Sequence, residues 1–385
     1  MDVPGLAGAV RAMTSRPIVF RADASLDMGT GHVMRCLTLA DAMREQGYAC
    51  HFICREHPGN LIEFIRAQGH QAYSLTCPPM VVNSCSKDDG SSLAHAAWLA
   101  ASQHEDAVAC QELLEQIKPQ WLVVDHYALD SRWEQMLKPY YGQLMVIDDL
   151  ADRSHQCDLL LDQTFGRSAE DYTARVPANC NVLCGTHFAL LRPEFAKMRM
   201  QSLQRRKNPE VKHILVTMGG VDSANTTGSI LDGLDKADLP DGCEVTVVMG
   251  TSAPWLDSVR QQAASTSYPT TVLAGVSNMA RLMTDSDLTI GAAGSTSWER
   301  CCLGLPAVML VLADNQELVA AGLQAAGAVV VLPSADAIDV ELPRAINGLL
   351  AEPFRMERMS AAGARLVDGL GVQRVVDAMG AYDVL

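Results

Sequence analysis

The sequence predicts an α/β fold of two domains, each built on a parallel sheet. At 385 residues the chain exceeds the usual size of one hydrophobic core, so two domains are the natural expectation. Short apolar runs that end in acids or glycines alternate with stretches of helical periodicity, which is typical of parallel strands covered by helices. A strand followed by a glycine turn occurs at residues 18–31 and again at residues 213–220. We therefore expect two nucleotide-binding-like domains that face each other across a cleft.

The composition excludes several classes of protein. The formal net charge is −15 and the only short basic run is residues 205–207, so binding to nucleic acid through phosphate contacts is not expected. No apolar run is long enough to span a membrane. Residues 1–16 lack the apolar core of a secretory signal, and we expect them to form a disordered extension. Twelve dispersed cysteines without a C-x-x-C pair favour a cytoplasmic protein. Cys50 and Cys54 alternate as in a packed strand, so we expect no metal site there.

The first domain, residues 17–193, opens with the stretch around which the chain is organised. A buried strand at residues 18–20 is followed by Gly29, Gly31 and His32, and then by a helical apolar pattern. Glycines at such a turn let the backbone approach a ligand, and the unpaired N–H groups of the helix start attract an anion such as a diphosphate. The same positive end disfavours a protonated imidazole, so His32 is expected to stay neutral and accept a proton. The alternative is a structural histidine that caps the helix start.

The rest of this domain continues the alternation. We predict strands at residues 49–54, 121–125, 144–148 and 159–162, helices at 60–68 and 94–118, and a loop at 77–92. The carboxyl ends of parallel strands meet at the ligand-binding edge of a sheet. Polar residues follow the strands there, and we interpret most of them as caps of the next helix: Asp125, His126, Tyr127, Asp148, Asp149 and Asp162.

A polar linker, residues 194–212, leads to the second domain, residues 213–385. Strands are predicted at residues 213–217, 245–249, 288–290 and 307–312, and a helix at residues 226–234. A second glycine-rich helix start follows the strand at 288–290, and another helix begins near Ser297.

Five motifs, in this order, resemble a known family. They are RADASLDMGTGHVMRCLTLA, VVDHY, VIDDLADRSHQCDLLLDQ, TMGGVDSAN and GAAGSTSWERCCLGLPAVMLVLADNQ, between residues 21 and 316. Together they resemble the UDP-sugar hydrolase of the pseudaminic acid pathway. That family has the GT-B fold, in which two Rossmann-like domains with parallel sheets face across a cleft, and is similar to the glycosyltransferase that adds N-acetylglucosamine to the peptidoglycan lipid precursor. Residues 1–16 and a polar segment near 77–105 depart from the family pattern.

The resemblance implies a metal-independent and cofactor-independent reaction. Water attacks the anomeric carbon of UDP-2,4-diacetamido-2,4,6-trideoxy-β-L-altropyranose with inversion, releasing UDP and the free sugar for pseudaminic acid biosynthesis and hence for flagellin or surface glycosylation. The family histidine that positions or deprotonates the water falls on His32. Tyr127 and Asn315 are expected to reach the sugar, and Asn315 and Gln316 the sugar or the diphosphate. A simple loop role for these residues is the alternative.

The second domain is expected to hold UDP. Hydroxyl and N–H groups converge at the second glycine-rich helix start, which is the expected diphosphate cradle. The resemblance implies that Glu299 holds the ribose hydroxyls, the alternative being a partner of the helix dipole. The remaining expected UDP contacts come from turns that face the cleft: Gly219, Gly220, Gly275, Val276, Met279, Gly294, Ser295 and Thr296.

Other functions stay open at this point. A GT-B glycosyltransferase that uses a UDP-sugar donor is the first alternative, because fold alone does not distinguish it. A sugar-nucleotide sensor without turnover is the second. A nicotinamide-dependent enzyme is disfavoured, because the glycine spacing does not fit the dinucleotide fingerprint. The oligomeric state is left open, with a monomer among the options.

Overall fold

A computed structural model describes residues 16–77, 93–207, 210–333 and 337–380. Within these residues the chain forms two sheets in which all strand pairs are parallel. The strands of the first sheet are β1 Arg16–Ala22, β2 Tyr48–Arg55, β3 Gln71–Leu75, β4 Trp121–Asp125, β5 Gln143–Ile147, β6 Leu159–Asp162 and β7 Asn181–Cys184. Their order is β3-β2-β1-β4-β5-β6-β7. The sheet order reverses between β1 and β4, which is where α/β sheets of this kind open a ligand crevice.

Helices cover both faces of this sheet. They are α1 Gly31–Glu45, α2 Ile62–Ala67, α3 Gln103–Ile117 and α4 Ser131–Leu137, with 3₁₀ turns at Ala96–Leu99, Lys138–Tyr140, Ala169–Tyr172 and Thr186–Phe188. The central strands are apolar and fully buried because helices pack on each side: Phe20 and Trp121 point into the α1 layer, and Val19 and Leu122 into the α3 and α4 layer.

The second sheet repeats the arrangement. Its strands are β8 His213–Thr217, β9 Glu244–Met249, β10 Thr270–Ala274, β11 Leu288–Ala292, β12 Ala307–Leu310 and β13 Val329–Val331, in the order β10-β9-β8-β11-β12-β13. The helices that follow in the chain are α5 Pro193–Arg205, α6 Thr226–Leu234, α7 Leu256–Ala263, α8 Met279–Asp285, α9 Thr296–Leu303, α10 Glu317–Ala325, α11 Ile338–Ala351, α12 Pro353–Leu366 and α13 Gly371–Gly380.

The two halves are joined at both ends of the second domain. Helix α5, in the predicted linker, packs on the second domain through Phe195, and its Ser202 hydroxyl donates to the Leu303 carbonyl over 2.7 Å. Helix α13 lies in the segment predicted for the second domain but packs on the first, where Val375 and Met379 join the core beside α1. The predicted domain boundaries stay a prediction.

One predicted element differs from the structure. The helix expected at residues 94–118 is divided into the 3₁₀ turn Ala96–Leu99 and helix α3. Ala100 adopts a left-handed conformation with φ of 52°, which ends the turn, and Ser102 then starts α3 with a capping box to Glu105. The alanine-rich sequence did not indicate this break in the helix, because alanine has high helix propensity. Most of the predicted loop at 77–92 lies outside the described residues.

Candidate active site

The turn between β1 and α1 leaves the start of the helix open. Gly29 has a φ of 74°, a left-handed conformation that glycine adopts without strain. The Ser25 hydroxyl accepts hydrogen bonds from the amides of Asp27 and Met28, which fixes the turn. Thr30 is the N-cap residue of α1, but its side chain makes no capping bond. The first N–H groups of the helix therefore keep their capacity to donate.

His32, in the first turn of α1, is held by Asp125. The two residues meet because β1 and β4 are neighbours and Asp125 is the last residue of β4. The His32 Nδ1 atom lies 2.6 Å from the Asp125 Oδ1 atom. Asp125 is fully buried and His32 is 9% exposed. Among the described residues, none bonds the Nε2 atom of His32, and the imidazole does not cap the helix, so the alternative of a capping histidine is not supported.

Arg35, one turn along α1, holds the other side of the carboxylate. Its Nε and Nη2 atoms donate to the two Asp125 oxygens over 2.6 and 2.7 Å, and its Nη1 atom donates to Asp149 over 2.8 Å. Burial by itself would raise the pKa of the Asp125 carboxyl, but the guanidinium of Arg35 and the ring of His32 hold that pKa well below its usual range. Asp125 is therefore an anion that accepts from His32 Nδ1, which directs the Nε2 atom away from the carboxylate.

Tyr127 completes this network. Its hydroxyl donates to Asp149 over 2.5 Å, and burial together with that carboxylate raises the pKa of Tyr127 well above its usual range. The ring of Tyr127 meets the ring of His32 edge to face, with centroids 4.6 Å apart. Two further rings, His95 and Trp98, lie 5.1 and 5.7 Å from the Tyr127 ring. The expected site residue Tyr127 is thus beside His32, while His95 and Trp98 were not anticipated.

The glycine turns of the two domains face each other. A Cβ atom added to Gly31 would lie 3.7 Å from the hydroxyl oxygen of Ser295, and one added to Gly220 would lie 3.6 Å from the hydroxyl oxygen of Thr30. Ser295 is the N-cap residue of α9 and makes no side-chain capping bond. The starts of α1 and α9 therefore present free donors to the same gap, which suits an anion placed between them.

Arg300 lies beneath the start of α9. It is 2% exposed, and its Nη2 atom donates to the Ala292 carbonyl over 2.6 Å and to the Ser297 hydroxyl over 3.0 Å. Its Nε and Nη1 atoms have no hydrogen-bond partner among the described residues. Burial lowers the pKa of Arg300 to about 10, so the side chain still carries its charge near neutral pH. The sequence did not reveal this cation, because Arg300 lies in the last turn of α9, where a basic residue is common.

Glu299 lies beside the same helix start. Its side chain is 17% exposed, and its nearest cation is Arg192, with Nη2 3.9 Å from Oε1. Burial raises the pKa of Glu299 to about 7, against the weaker opposing effects of Arg192 and Arg300. A carboxylate with this exposure and no hydrogen bond from a described residue is available to accept from a ligand hydroxyl.

The remaining residues expected to contact the substrate lie in loops and turns of the second domain. Gln316 uses its Oε1 atom to accept from the Leu312 amide over 3.0 Å, which favours the loop role. Asn315 lies in the 3₁₀ turn Asp314–Gln316, and its side chain is outside the described part of the structure. Gly275 has a φ of 61° in the turn after β10, with Val276 and Met279 half-buried beside it. Gly219 has a φ of 90°, and Gly294 has open space at its Cβ position.

The interpretation of the strand-end acids as helix caps is wrong for Asp125 and Asp149, which bind His32, Arg35 and Tyr127 instead. Asp148 and Asp162 do accept hydrogen bonds from the amides that follow them, as a cap would, but they stabilise turns and not helix starts. Asp148 accepts from the amides of Leu150 and Ala151, and Asp162 accepts from the amide of Thr164. The amino-acid order alone does not distinguish these roles, because the discriminating partners come from other elements.

In the residues that the structure describes, no group of three or more His, Cys, Asp or Glu side chains is arranged to hold a metal ion. Nor does any helix within those residues have the length and apolar character needed to cross a membrane.

The chain is similar in sequence to known proteins. Residues 213–372 match the family described as the glycosyltransferase family 28 C-terminal domain. The chain is 26% identical over 311 residues to the UDP-2,4-diacetamido-2,4,6-trideoxy-beta-L-altropyranose hydrolase of Campylobacter jejuni, covering 80% of this chain and 97% of that protein. It is also 26% identical over 292 residues to protein MJ1062 of Methanocaldococcus jannaschii, covering 75% of this chain but only 54% of that protein. The resemblance indicated by the motifs is therefore confirmed.

A solved structure extends the comparison to the whole fold. The crystal structure of MurG from Acinetobacter baumannii superposes with a TM-score of 0.66 at 15% identity, covering 95% of this chain and 99% of that one. At this identity the likeness concerns the fold alone. Together with the two parallel sheets, it confirms the predicted GT-B fold.

Proposed function

We propose that this chain is a UDP-sugar hydrolase that breaks the anomeric C–O bond with inversion. The observation that carries the proposal is the pairing of His32 with the buried Asp125 at the start of α1, opposite the open start of α9. A base oriented by a carboxylate and an anion site across a narrow gap are the two parts that the reaction needs.

The second domain would bind UDP. The free amides at the start of α9 and the buried charge of Arg300 favour a diphosphate at Gly294, Ser295 and Thr296. Glu299 would accept hydrogen bonds from the ribose hydroxyls. The turn that contains Gly275, Val276 and Met279 would contact the base, in line with the expectation from the family resemblance. Gly219 and Gly220 would line the opposite side of the diphosphate.

The chain's own residues would supply the proton transfer. The Nε2 atom of His32 takes a proton from a water molecule as the water oxygen bonds to the anomeric carbon. The bond from that carbon to the β-phosphate oxygen breaks on the opposite face, and the electron pair leaves with UDP. Since UDP is a good leaving group, no strong general acid is required, in contrast to ordinary inverting glycosidases. Asp125 keeps the proton of neutral His32 on Nδ1 and stabilises the imidazolium that forms.

The substrate we propose is UDP-2,4-diacetamido-2,4,6-trideoxy-β-L-altropyranose, which is the substrate in the name of the relative from Campylobacter jejuni. Tyr127 and Asn315 would contact the sugar, and Gln316 would shape the loop beside it. The reaction would need neither metal nor cofactor. The enzyme would act in the cytoplasm in pseudaminic acid biosynthesis, ahead of surface glycosylation.

The His32→Asn variant tests the role of the imidazole. We expect it to bind UDP as the wild type does and to lose roughly 100- to 10,000-fold in turnover, the usual contribution of a general base. Proton NMR of the sugar nucleotide with enzyme would follow UDP release and identify the first anomer formed. The matched control is His104→Asn, which makes the same change on the exposed face of α3. Turnover of His32→Asn within threefold of the wild type would remove His32 from the mechanism.

A glycosyltransferase is the second candidate, because the family matched by residues 213–372 is named for that activity. The two functions differ in what accepts the sugar. A hydrolase releases UDP from the sugar nucleotide in the absence of any acceptor alcohol. Purified protein that releases UDP only when an acceptor is added would favour the transferase.

A further inference from the structure

Three rings at the carboxyl edge of the first sheet form a continuous aromatic surface beside the candidate base His32. We define the aromatic wall as His95 and Trp98 together with Tyr127, which contacts His32. Trp98 stacks on Tyr127 with centroids 5.7 Å apart and planes 25° apart. His95 lies 4.5 Å from the Trp98 ring and 5.1 Å from the Tyr127 ring. The ring centroids of His32 and Trp98 are 6.5 Å apart. The wall therefore lies directly beside the ring of His32, the proposed base.

The outer members of the wall are not required to fill the core. Leu99, the next residue along the 3₁₀ turn, is 1% exposed and anchors that turn in the core of the first domain. His95 and Trp98 stay half-exposed on the same turn. The two rings are therefore positioned by Leu99 and remain accessible to a ligand beside Tyr127.

The chemistry of the wall is apolar and uncharged. Burial lowers the pKa of His95, with Arg153 and His32 acting in the same direction and Asp152 opposing them, so the ring is neutral at pH 7. The Tyr127 hydroxyl is already engaged by Asp149. The faces of these rings therefore offer dispersion contacts and few hydrogen bonds, which suits methyl groups and the C–H face of a pyranose better than a row of hydroxyls.

We propose that His95 and Trp98 are specificity-determining residues that select a sugar carrying methyl groups, as acetamido or 6-deoxy substituents, over a fully hydroxylated hexose. This inference rests on the proposed function, since it assigns a substrate class to the same site. The residues belong to the segment near 77–105 that departs from the family pattern. The wall acts on the sugar and not on UDP, which the second domain holds.

The test measures binding in the His32→Asn background, where the sugar nucleotide is not consumed. The probes are UDP, UDP-glucose and UDP-2,4-diacetamido-2,4,6-trideoxy-β-L-altropyranose, each followed by calorimetry. Adding Trp98→Ala should weaken binding of the methyl-bearing sugar nucleotide at least tenfold. Binding of UDP and of UDP-glucose should change less than threefold. Trp98→Phe should retain most of the affinity, because it keeps an apolar ring at the same place.

The control variant is Phe354→Ala, which removes an aromatic ring that is 73% exposed on α12 of the other domain and should change none of the three affinities. If Trp98→Ala impairs folding, the comparison of Trp98→Phe with Trp98→Leu carries the test, with UDP affinity reporting a folded site. Equal losses for UDP and the methyl-bearing sugar nucleotide, or no loss for either, would overturn the proposal. Equal affinity of the His32→Asn protein for UDP-glucose and the methyl-bearing sugar nucleotide would also overturn it.

The failure of the proposed function would look different. In that case the wild-type protein releases no UDP from any probe, while the binding ratios still report on the wall.

Discussion

Replacing Asp125 with asparagine should separate the orientation of His32 from its presence. The substitution keeps the size of the side chain and one acceptor oxygen, but it removes the charge that faces His32 Nδ1 over 2.6 Å and Arg35 over 2.6 and 2.7 Å. If the new NH₂ group faces the ring, His32 must accept a bond at Nδ1, and its proton moves to Nε2. The ring then offers a donor where the water needs an acceptor.

The size of the effect follows from these contacts. The loss in kcat should be at least about 100-fold, since a base with its proton on the wrong nitrogen loses most of a general-base contribution of roughly 100- to 10,000-fold. The loss in kcat should not exceed the loss seen in His32→Asn, because Asp125 acts through the imidazole. The double variant should therefore be no slower than His32→Asn alone. Stability should fall by about 2 kcal/mol, because Arg35 keeps Asp149 as a partner and the buried cation is only partly uncompensated.

The assay is UDP release in single-turnover and steady-state modes, together with urea unfolding and UDP binding. Asp149→Asn is the matched control, since it removes the other carboxylate from Arg35 over a similar distance of 2.8 Å and leaves the His32–Asp125 contact intact. We expect the control to lose stability with less than tenfold loss in kcat. Equal kcat losses in Asp125→Asn and Asp149→Asn would refute the orienting role. So would a double variant in which Asp125→Asn slows the His32→Asn enzyme by as much as it slows the wild type.

Two further predictions concern pH. The pKa of Glu299 is raised to about 7, so between about pH 4.5 and 7 the folded protein holds a proton there that the unfolded chain has lost, and stability falls as the pH rises through that window. If the carboxylate accepts from the ribose, UDP affinity should fall about tenfold from pH 8 to pH 6 beyond any change seen in Glu299→Gln; parallel pH curves for the two proteins would contradict this. Burial alone would lower the pKa of His155, but Glu134, 2.6 Å from its Nδ1 atom, and Asp148 raise it to about 9. Its contribution to stability is therefore complete below pH 6.5 and lost as pH rises through 9, by at most about 3 kcal/mol, and urea unfolding of His155→Gln should show a flatter curve across that window.

The sequence was sufficient to predict the repeating architecture. Strand and helix periods repeat locally, and the glycine turns at Gly31 and Gly220 occur where the chain passes from strand to helix, so the two facing sheets could be inferred. The resemblance then supplied the GT-B fold. The division of residues 94–118 escaped prediction, because the left-handed residue that ends the 3₁₀ turn is Ala100, and alanine gives no signal for that conformation.

The site was predicted to the extent that its residues carry local signals. His32 stands in a glycine turn and was recognisable, while its partner Asp125 lies 93 positions away and looked like one of several strand-end acids. Arg35 and Trp98 had no local signal at all, since one reads as a helix residue and the other as part of an alanine-rich helix. Their roles depend on which strands are adjacent and on where the 3₁₀ turn returns to the sheet edge, which are properties of the tertiary fold.

The arrangement of charges also suits the binding of the dianionic diphosphate of a sugar nucleotide, which we propose, to an acidic chain. With a net charge of −15 and carboxylates at the ends of β4, β5 and β6, the cleft would be expected to repel UDP. Each of these carboxylates instead has an arginine within 3.1 Å: Arg35 for Asp125 and Asp149, Arg153 for Asp148, and Arg167 for Asp162. Across the gap the balance is reversed: within the described part of the chain Arg300 forms no ion pair with a carboxylate, and its buried charge underlies the start of α9. Neutralised acids on the base side and an unneutralised cation beneath the opposite helix start give the cleft a local field that favours an anion, independently of the charge of the whole chain.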